Sequence, residues 1–141
     1  MSAEENKATV RRWIEEVINK QDVALIDELF APDYVNHMAP PGLPAGPQGE
    51  KLFSQMFFGA FPDSHMELVD VVAAGDRVAG RYTYSATHRG EFMGIPPTGK
   101  HFSVSGTNII RLAGGKIAEN WPSLDMLGIM QQIGVIRTPG Q

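Results

Sequence analysis

Cysteine is absent from this chain, which excludes disulfides, thiol catalysis and thiolate metal sites. No apolar run approaches the roughly 18 residues a membrane helix needs. Basic clusters are missing as well. Twelve Lys and Arg face sixteen Asp and Glu, for a formal net charge of -4, and a phosphate backbone requires a basic face. Nucleic acid is therefore not an expected partner. Histidine pairs at metal-binding spacing are lacking, and so is a G-x-S-x-G nucleophile turn. The segment Gly94-Ile95-Pro96-Pro97-Thr98-Gly99 has neither the lysine nor the spacing of a phosphate loop. The first residues, Met1 to Lys7, are polar and acidic, unlike a signal peptide, so a cytoplasmic location and no membrane association are expected.

What is present suits one folded unit. The chain has 141 residues, 43% of them hydrophobic and 20% charged, enough for one sizeable core. The expectation is a single domain over 1–141, with its core about 5–136 and a short C-terminal tail. Val10, Trp13, Ile14, Val17 and Ile18 recur at helical spacing, and Ser2 with Glu5 forms a capping-box pattern that starts the helix near residue 3. A short second helix opens at Gln21-Asp22, carries Leu25, Ile26 and Leu29 on one face, and ends at Ala31-Pro32-Asp33. Tyr34 to His37 reads as a short extended piece.

Residues 39–47 contain Pro40, Pro41, Pro44 and Pro47 with Gly42 and Gly46, so they form an irregular loop that suits a pocket rim or lid. A third helix starts about Pro47, with stripes Leu52/Met56 and Phe53/Phe57/Phe61, and stops at Pro62-Asp63. From residue 64 the period becomes two. Strands are expected at 65–72, 77–88, 101–112 and 116–124, with turns at Gly75-Asp76 and Ala113-Gly114-Gly115. A last helix covers 126–133, with Gly134 at its C-terminal end. This order predicts an α+β fold: helices, an antiparallel meander of about four strands, and a closing helix, with a pocket between a curved sheet and the helices.

Strict alternation in the last strand would put Ile117, Glu119, Trp121, Ser123 and Asp125 on one face. A carboxylate beside Trp121 would be poorly hydrated and suited to proton transfer near neutral pH. Asp125 equally suits the N-cap of the last helix. His37 and His88 flank loops, where a histidine can donate to a carbonyl oxygen, move a proton or simply be exposed. His65 and His101, at strand starts, read as exposed. Phe57, Tyr82 and the other aromatics read as core, with some lining a cavity for a flat apolar ligand.

Three separated motifs then resemble one family. Thr87-His88-Arg89-Gly90-Glu91-Phe92-Met93-Gly94-Ile95-Pro96-Pro97-Thr98-Gly99, Phe58 to Asp63, and Gly115 to Asp125 followed by Gln132-Ile133-Gly134 are similar to the signatures of SnoaL-like polyketide cyclases and ester cyclases. The resemblance implies a nuclear-transport-factor-2-like cone, in which a strongly curved antiparallel sheet wraps the N-terminal helices around a deep apolar pocket. It further implies an intramolecular aldol condensation of a polyketide-like ester, or a related isomerase or lyase reaction, without metal or cofactor. Asp125 would be general base and acid, with His37 and His88 holding enolate or carbonyl oxygens. Asn36, Trp121, Tyr82, Glu119 and Phe57 complete the expected substrate contacts. A homodimer or higher oligomer through the sheet is also implied. The alternative is a non-catalytic small-molecule binding protein of the same fold.

Overall fold

The computed structural model describes residues 2–137. Helix α1 (Ala3–Arg12) begins at the expected cap. Ser2 Oγ accepts from the Glu5 amide at 3.1 Å, and the Glu5 carboxylate accepts from the Ser2 amide at 3.3 Å. The helix continues as a π-helical segment, Trp13–Asn19, a widened turn that recurs at functional sites. Val10, Trp13, Ile14 and Val17 are buried. At its end, Asn19 donates to the Met66 carbonyl at 2.9 Å and accepts from the Met66 amide at 2.7 Å. That side chain satisfies backbone groups of a sheet-edge strand. A short 3₁₀ turn (Val23–Leu25) and α2 (Ile26–Leu29) follow.

Strands β1 (Phe30–Asn36), β2 (His65–Ala74), β3 (Arg77–Thr87), β4 (His101–Ala113) and β5 (Lys116–Leu124) make one sheet in the order β1-β5-β4-β3-β2. The four-stranded meander is there, but it gains a fifth strand. Ala31-Pro32-Asp33, expected to end a helix, lies inside β1, which pairs parallel with β5. Pro32 is tolerated because β1 is an edge strand and its ladder is interrupted between Phe30 and Val35. α3 (Pro47–Ala60) and α4 (Met126–Gln132) complete the α+β fold. Of the two stripes on α3, Leu52 and Met56 are exposed, each at 43%, whereas Phe53, Phe57 and Phe61 face the interior.

Burial alternates along β4: Phe102, Val104, Gly106, Asn108, Ile110 and Leu112 point inward. Tyr82 of β3 faces Gly106 of β4, and its ring lies where a Cβ on Gly106 would sit, 2.6 Å away. Glycine there lets the Tyr82 ring lie flat on the neighbouring strand. Phe61, Tyr84, Phe92 and Phe102 form an aromatic cluster at one end of the core. No helix among the described residues is long and apolar enough to cross a membrane.

The β3–β4 connection carries the long motif and is closed on His88. The His88 amide donates to Lys100 O at 2.9 Å, the Gly99 amide donates to His88 O at 2.8 Å, and the Thr98 amide donates to His88 Nδ1 at 3.2 Å. Beside it, Asp63 accepts from the Thr87 amide and hydroxyl, both at 2.7 Å, tying the end of α3 to the end of β3. These bonds hold the Asp63 carboxyl below its ordinary range.

Candidate functional site

A cleft lies between the π-helical segment, α3 and the inner face of the sheet, enclosing about 80 Å³. Trp13 and Ile18 come from the first helix, Glu50, Phe53, Ser54, Phe57 and Phe58 from α3, and Tyr82, Tyr84, Asn108, Pro122 and Leu124 from the sheet. Met38 closes the side near β1. The walls are mostly apolar, and the polar groups gather around Glu50.

Glu50 stands in the first turn of α3, where a carboxylate suits the helix dipole, yet its side chain points inward. It is 4% exposed. Its Oε2 accepts from Asn36 Nδ2 at 3.2 Å, while Asn36 Oδ1 accepts from the Met38 amide at 2.9 Å. The Tyr34 hydroxyl lies beside Glu50 and Asn120 without meeting hydrogen-bond geometry with either. Burial is the dominant influence on Glu50 and pushes its carboxyl up to about 7, against partial compensation from Asn36 and Tyr34. Burial, then the nearby Glu50 charge, raises the Tyr34 phenol well above its ordinary value. Burial alone pushes Tyr82 to about 12. Tyr34 and Tyr82 are thus neutral donors at physiological pH. Among the described residues, Trp13 Nε1, the Tyr34 hydroxyl and the Oδ1 atoms of Asn108 and Asn120 are buried without a hydrogen-bond partner. Such groups are costly unless something meets them.

The expected site residues fall into separate places. Asn36, Tyr82 and Phe57 gather at the cleft and its polar end. The shared face proposed for β5 does not form, because Ala118 is an extra residue in the ladder: Leu112 pairs with Ile117 and Arg111 with Glu119. Ile117 and Ala118 are both buried, so the alternation inverts. Asn120, Pro122 and Leu124 turn inward, while Glu119, Trp121 and Ser123 turn to the outer face.

On that outer face His37 stacks on Trp121, with ring centroids 5.0 Å apart and planes 6° from parallel. The Arg77 guanidinium lies 4.9 Å from the Trp121 ring. Glu119 joins His37 Nε2 at 2.6 Å and accepts from Arg111 Nε at 3.0 Å. His37, then Arg111, holds the Glu119 carboxyl below its ordinary range. Asp125 is exposed and caps α4, accepting from the Gly128 amide at 2.8 Å. With Arg81, Ser105, Thr107 and Ser123 it borders a shallow depression apart from the cleft. His88 is fully buried in the loop clasp and does not line the cleft. Among the described residues, no three His, Asp or Glu side chains converge as cation ligands.

Glu50 was not among the expected residues. A signal for it exists in the sequence: Glu50, Phe53, Phe57 and Phe61 follow one another at spacings of three and four, so the carboxylate heads the apolar stripe of α3. Its place in a first helical turn makes it look like an ordinary dipole-stabilising charge.

Comparison with known proteins gives a consistent picture. A family model described as SnoaL-like polyketide cyclase matches residues 8–133. The nogalonic acid methyl ester cyclase of Streptomyces nogalater is 29% identical over 116 residues, covering 77% of this chain and 83% of that protein. An aklanonic acid methyl ester cyclase of Streptomyces sp. strain C5 is 28% identical over 133 residues, covering 89% and 79%. Among solved structures, TsrD from Streptomyces laurentii superposes with a TM-score of 0.88 at 25% identity, covering 96% of this chain and 99% of that one. Wild-type IdmH from Streptomyces antibioticus gives 0.79 at 35% identity, covering 92% and 98%.

Proposed function

The chain belongs to the SnoaL-like polyketide cyclase family, and from that premise we propose that it performs cofactor-free acid–base chemistry next to a carbonyl in the cleft, with Glu50 as the proton-transfer group. The observation that carries this is a buried carboxyl, held by Asn36 at the polar end of an apolar cleft and poised at about 7. A group with that proton affinity is part ionised at neutral pH, so it can both take and return a proton.

The reaction is an intramolecular aldol condensation of a polyketide ester, or a related isomerisation or lyase step. The Glu50 carboxylate removes a proton from the carbon between the ester carbonyl and a second carbonyl. The enolate carbon forms a bond to a ketone carbon of the same molecule, and the carboxylic acid returns its proton to the resulting alkoxide. Nothing is oxidised or lost, so the product is an isomer of the substrate. Tyr82, a neutral phenol in the lining of the cleft, is the candidate donor to oxygens that gain charge. About 80 Å³ is far below the roughly 300 Å³ of common ligand sites. A multi-ring ester therefore enters by displacing the half-buried Met38, Phe53 and Phe58.

The test uses the methyl esters of nogalonic and aklanonic acid, on which the relatives' names say they act. Glu50→Gln keeps size and hydrogen bonding and should lower turnover by about 10²–10⁴-fold. Asp125, the position that the family resemblance assigns to this role, is the competing assignment, so Asp125→Asn is assayed beside it. Loss of turnover in Asp125→Asn with retention in Glu50→Gln would transfer the role to Asp125. Tight binding of either ester by the unaltered protein without turnover would favour the non-catalytic binding protein.

The same proposal includes self-association through the outer face of the sheet. Val72, Ala79, Ile109 and Trp121 are register neighbours across four strands. Val72 is 65% and Ile109 46% exposed, a continuous apolar row of the kind that marks an interface.

A further inference from the structure

Glu50 is short of donors. Its side chain is buried, and among the described residues the hydrogen bond it receives comes from Asn36 Nδ2 alone, at 3.2 Å. A buried carboxylate is stable only when several donors meet it. The Tyr34 hydroxyl has the opposite deficit. It is a buried donor beside Glu50 and Asn120, with no partner in hydrogen-bond geometry among the described residues. Each unmet group is costly by itself, and one bond between them relieves both.

The fold delivers these groups to one place. Tyr34 and Asn36 are two residues apart on β1 and so share a face, and Asn36 is the register partner of Asn120 on β5. The Tyr34 ring is held edge-on against Phe30, with centroids 4.6 Å apart and planes 87° from parallel. From the other side, the Pro-rich connection pins the first turn of α3. A Cβ on Gly49 would collide with the Pro44 carbonyl oxygen, an approach between backbones that needs glycine. That connection does not line the cleft beyond Met38. With both backbones fixed, a small turn of the Glu50 carboxyl, tethered by Asn36, closes the bond to Tyr34.

Among the described residues, the other charges around α3 are committed elsewhere. Asp27 of α2 pairs with Lys51 at 2.5 Å, and Glu16 and Glu28 hold Arg12 at 2.8 and 3.0 Å. Glu15, Asp22 and Asp33 are exposed, and His37 engages Glu119 on the outer face. Tyr82 in the cleft stays neutral up to about 12. Tyr34 is the titratable group that acts on Glu50. It keeps its own proton, because burial and then the Glu50 charge raise its phenol well above the ordinary value.

We propose that Tyr34 is a positioning residue for Glu50: its hydroxyl, itself oriented by Asn120, donates to the ionised carboxylate and fixes which way the base faces the cleft. This deepens the reaction proposed above and rests on it only for the consequence to turnover. A bond to a carboxylate is about twice as strong as one to the neutral acid, a difference of about fivefold in proton affinity.

The full chain, carrying ¹³C-labelled glutamate, is titrated by NMR, and the Glu50 carboxyl signal is identified by its loss in Glu50→Gln. In Tyr34→Phe the Glu50 midpoint should rise from about 7, with the proton held about fivefold more tightly. Asn120→Leu replaces an amide whose Oδ1 is unpartnered among the described residues and should raise the midpoint about twofold. It should add nothing in the Tyr34→Phe background, because Asn120 acts through the Tyr34 hydroxyl. A merely structural role gives the opposite sign: loosened packing admits water, and a hydrated carboxyl moves down toward 4.5. A lowered or unmoved midpoint in folded Tyr34→Phe overturns the proposal, as does an Asn120 effect of full size in the double variant. Should Tyr34→Phe misfold, Asn120→Leu is read alone, and a midpoint that does not rise is decisive against it. Turnover of the two methyl esters is measured separately. Activity retained in Glu50→Gln with a raised midpoint in Tyr34→Phe sinks the role of Glu50 in the reaction and leaves the positioning bond standing. An inactive Glu50→Gln with an unmoved midpoint in Tyr34→Phe does the reverse.

Discussion

Replacing Glu50 with Gln should make the protein more stable at alkaline pH. In the folded chain the buried carboxyl keeps its proton up to about 7, against an ordinary value of 4.5. Below 4.5 both folded and unfolded states hold the proton, and Glu50 contributes no pH dependence. Between 4.5 and about 7 the unfolded chain releases its proton while the folded one does not, so stability falls as pH rises. Above 7 both are ionised and the penalty is constant. At about 1.4 kcal/mol for each tenfold in proton affinity, the interval amounts to about 3 kcal/mol, a large part of the stability of a small domain. Gln fills the same space, keeps an acceptor for Asn36 and never ionises. Urea unfolding of both proteins at pH 4.5, 6 and 8 reads the effect. The curves should coincide at the lowest pH and diverge by about 3 kcal/mol at the highest, a midpoint difference of about 1–3 M at usual urea slopes. Because only the difference between the two proteins is used, titration elsewhere cancels. Parallel stability curves across the whole range would mean that Glu50 does not hold a proton in the folded state, and the proton-transfer role would lose its physical basis.

Other outcomes follow from the same geometry. Asp125→Ala removes the acceptor for the Gly128 amide and should cost about 1 kcal/mol in urea unfolding; an unchanged midpoint would show that the cap contributes nothing. Gly49→Ala drives a methyl group into the Pro44 carbonyl and should destabilise the chain by about 1–3 kcal/mol, with the largest amide shifts in residues 39–47 rather than along the sheet. Ile109→Arg places a charge at the centre of the outer apolar row and should convert an oligomer to monomer in sedimentation analysis. A wild-type protein that is already monomeric at high concentration would refute that interface.

Much of the architecture was legible because local physics decided it. The capping box at Ser2 and Glu5, the glycine turns at Gly75 and Gly114-Gly115, and the change of period after residue 64 each act over a few residues. They place α1, the hairpins and α4 correctly. Strand β1 was not legible in full. Pro32 is a local signal against regular structure, and only pairing with β5, some 85 residues away in sequence, makes an edge strand of it.

The site divides along the same line. The sequence by itself determined that an apolar cleft would meet a few polar groups, since the stripe Phe53/Phe57/Phe61 and the alternation of β3 and β4 must face one another to be buried. It also determined that Asp125 suits a cap, a role satisfied within three residues by the Gly128 amide. Which carboxylate lies inside was hinted at by the place of Glu50 at the head of that stripe and decided by tertiary packing. One extra residue at Ala118 inverts the faces of β5, sending Glu119 and Trp121 outward to His37 and Asn120 inward. Packing of α3 against β1 carries Glu50 away from water, and that desolvation raises the carboxyl of a first-turn glutamate to about 7.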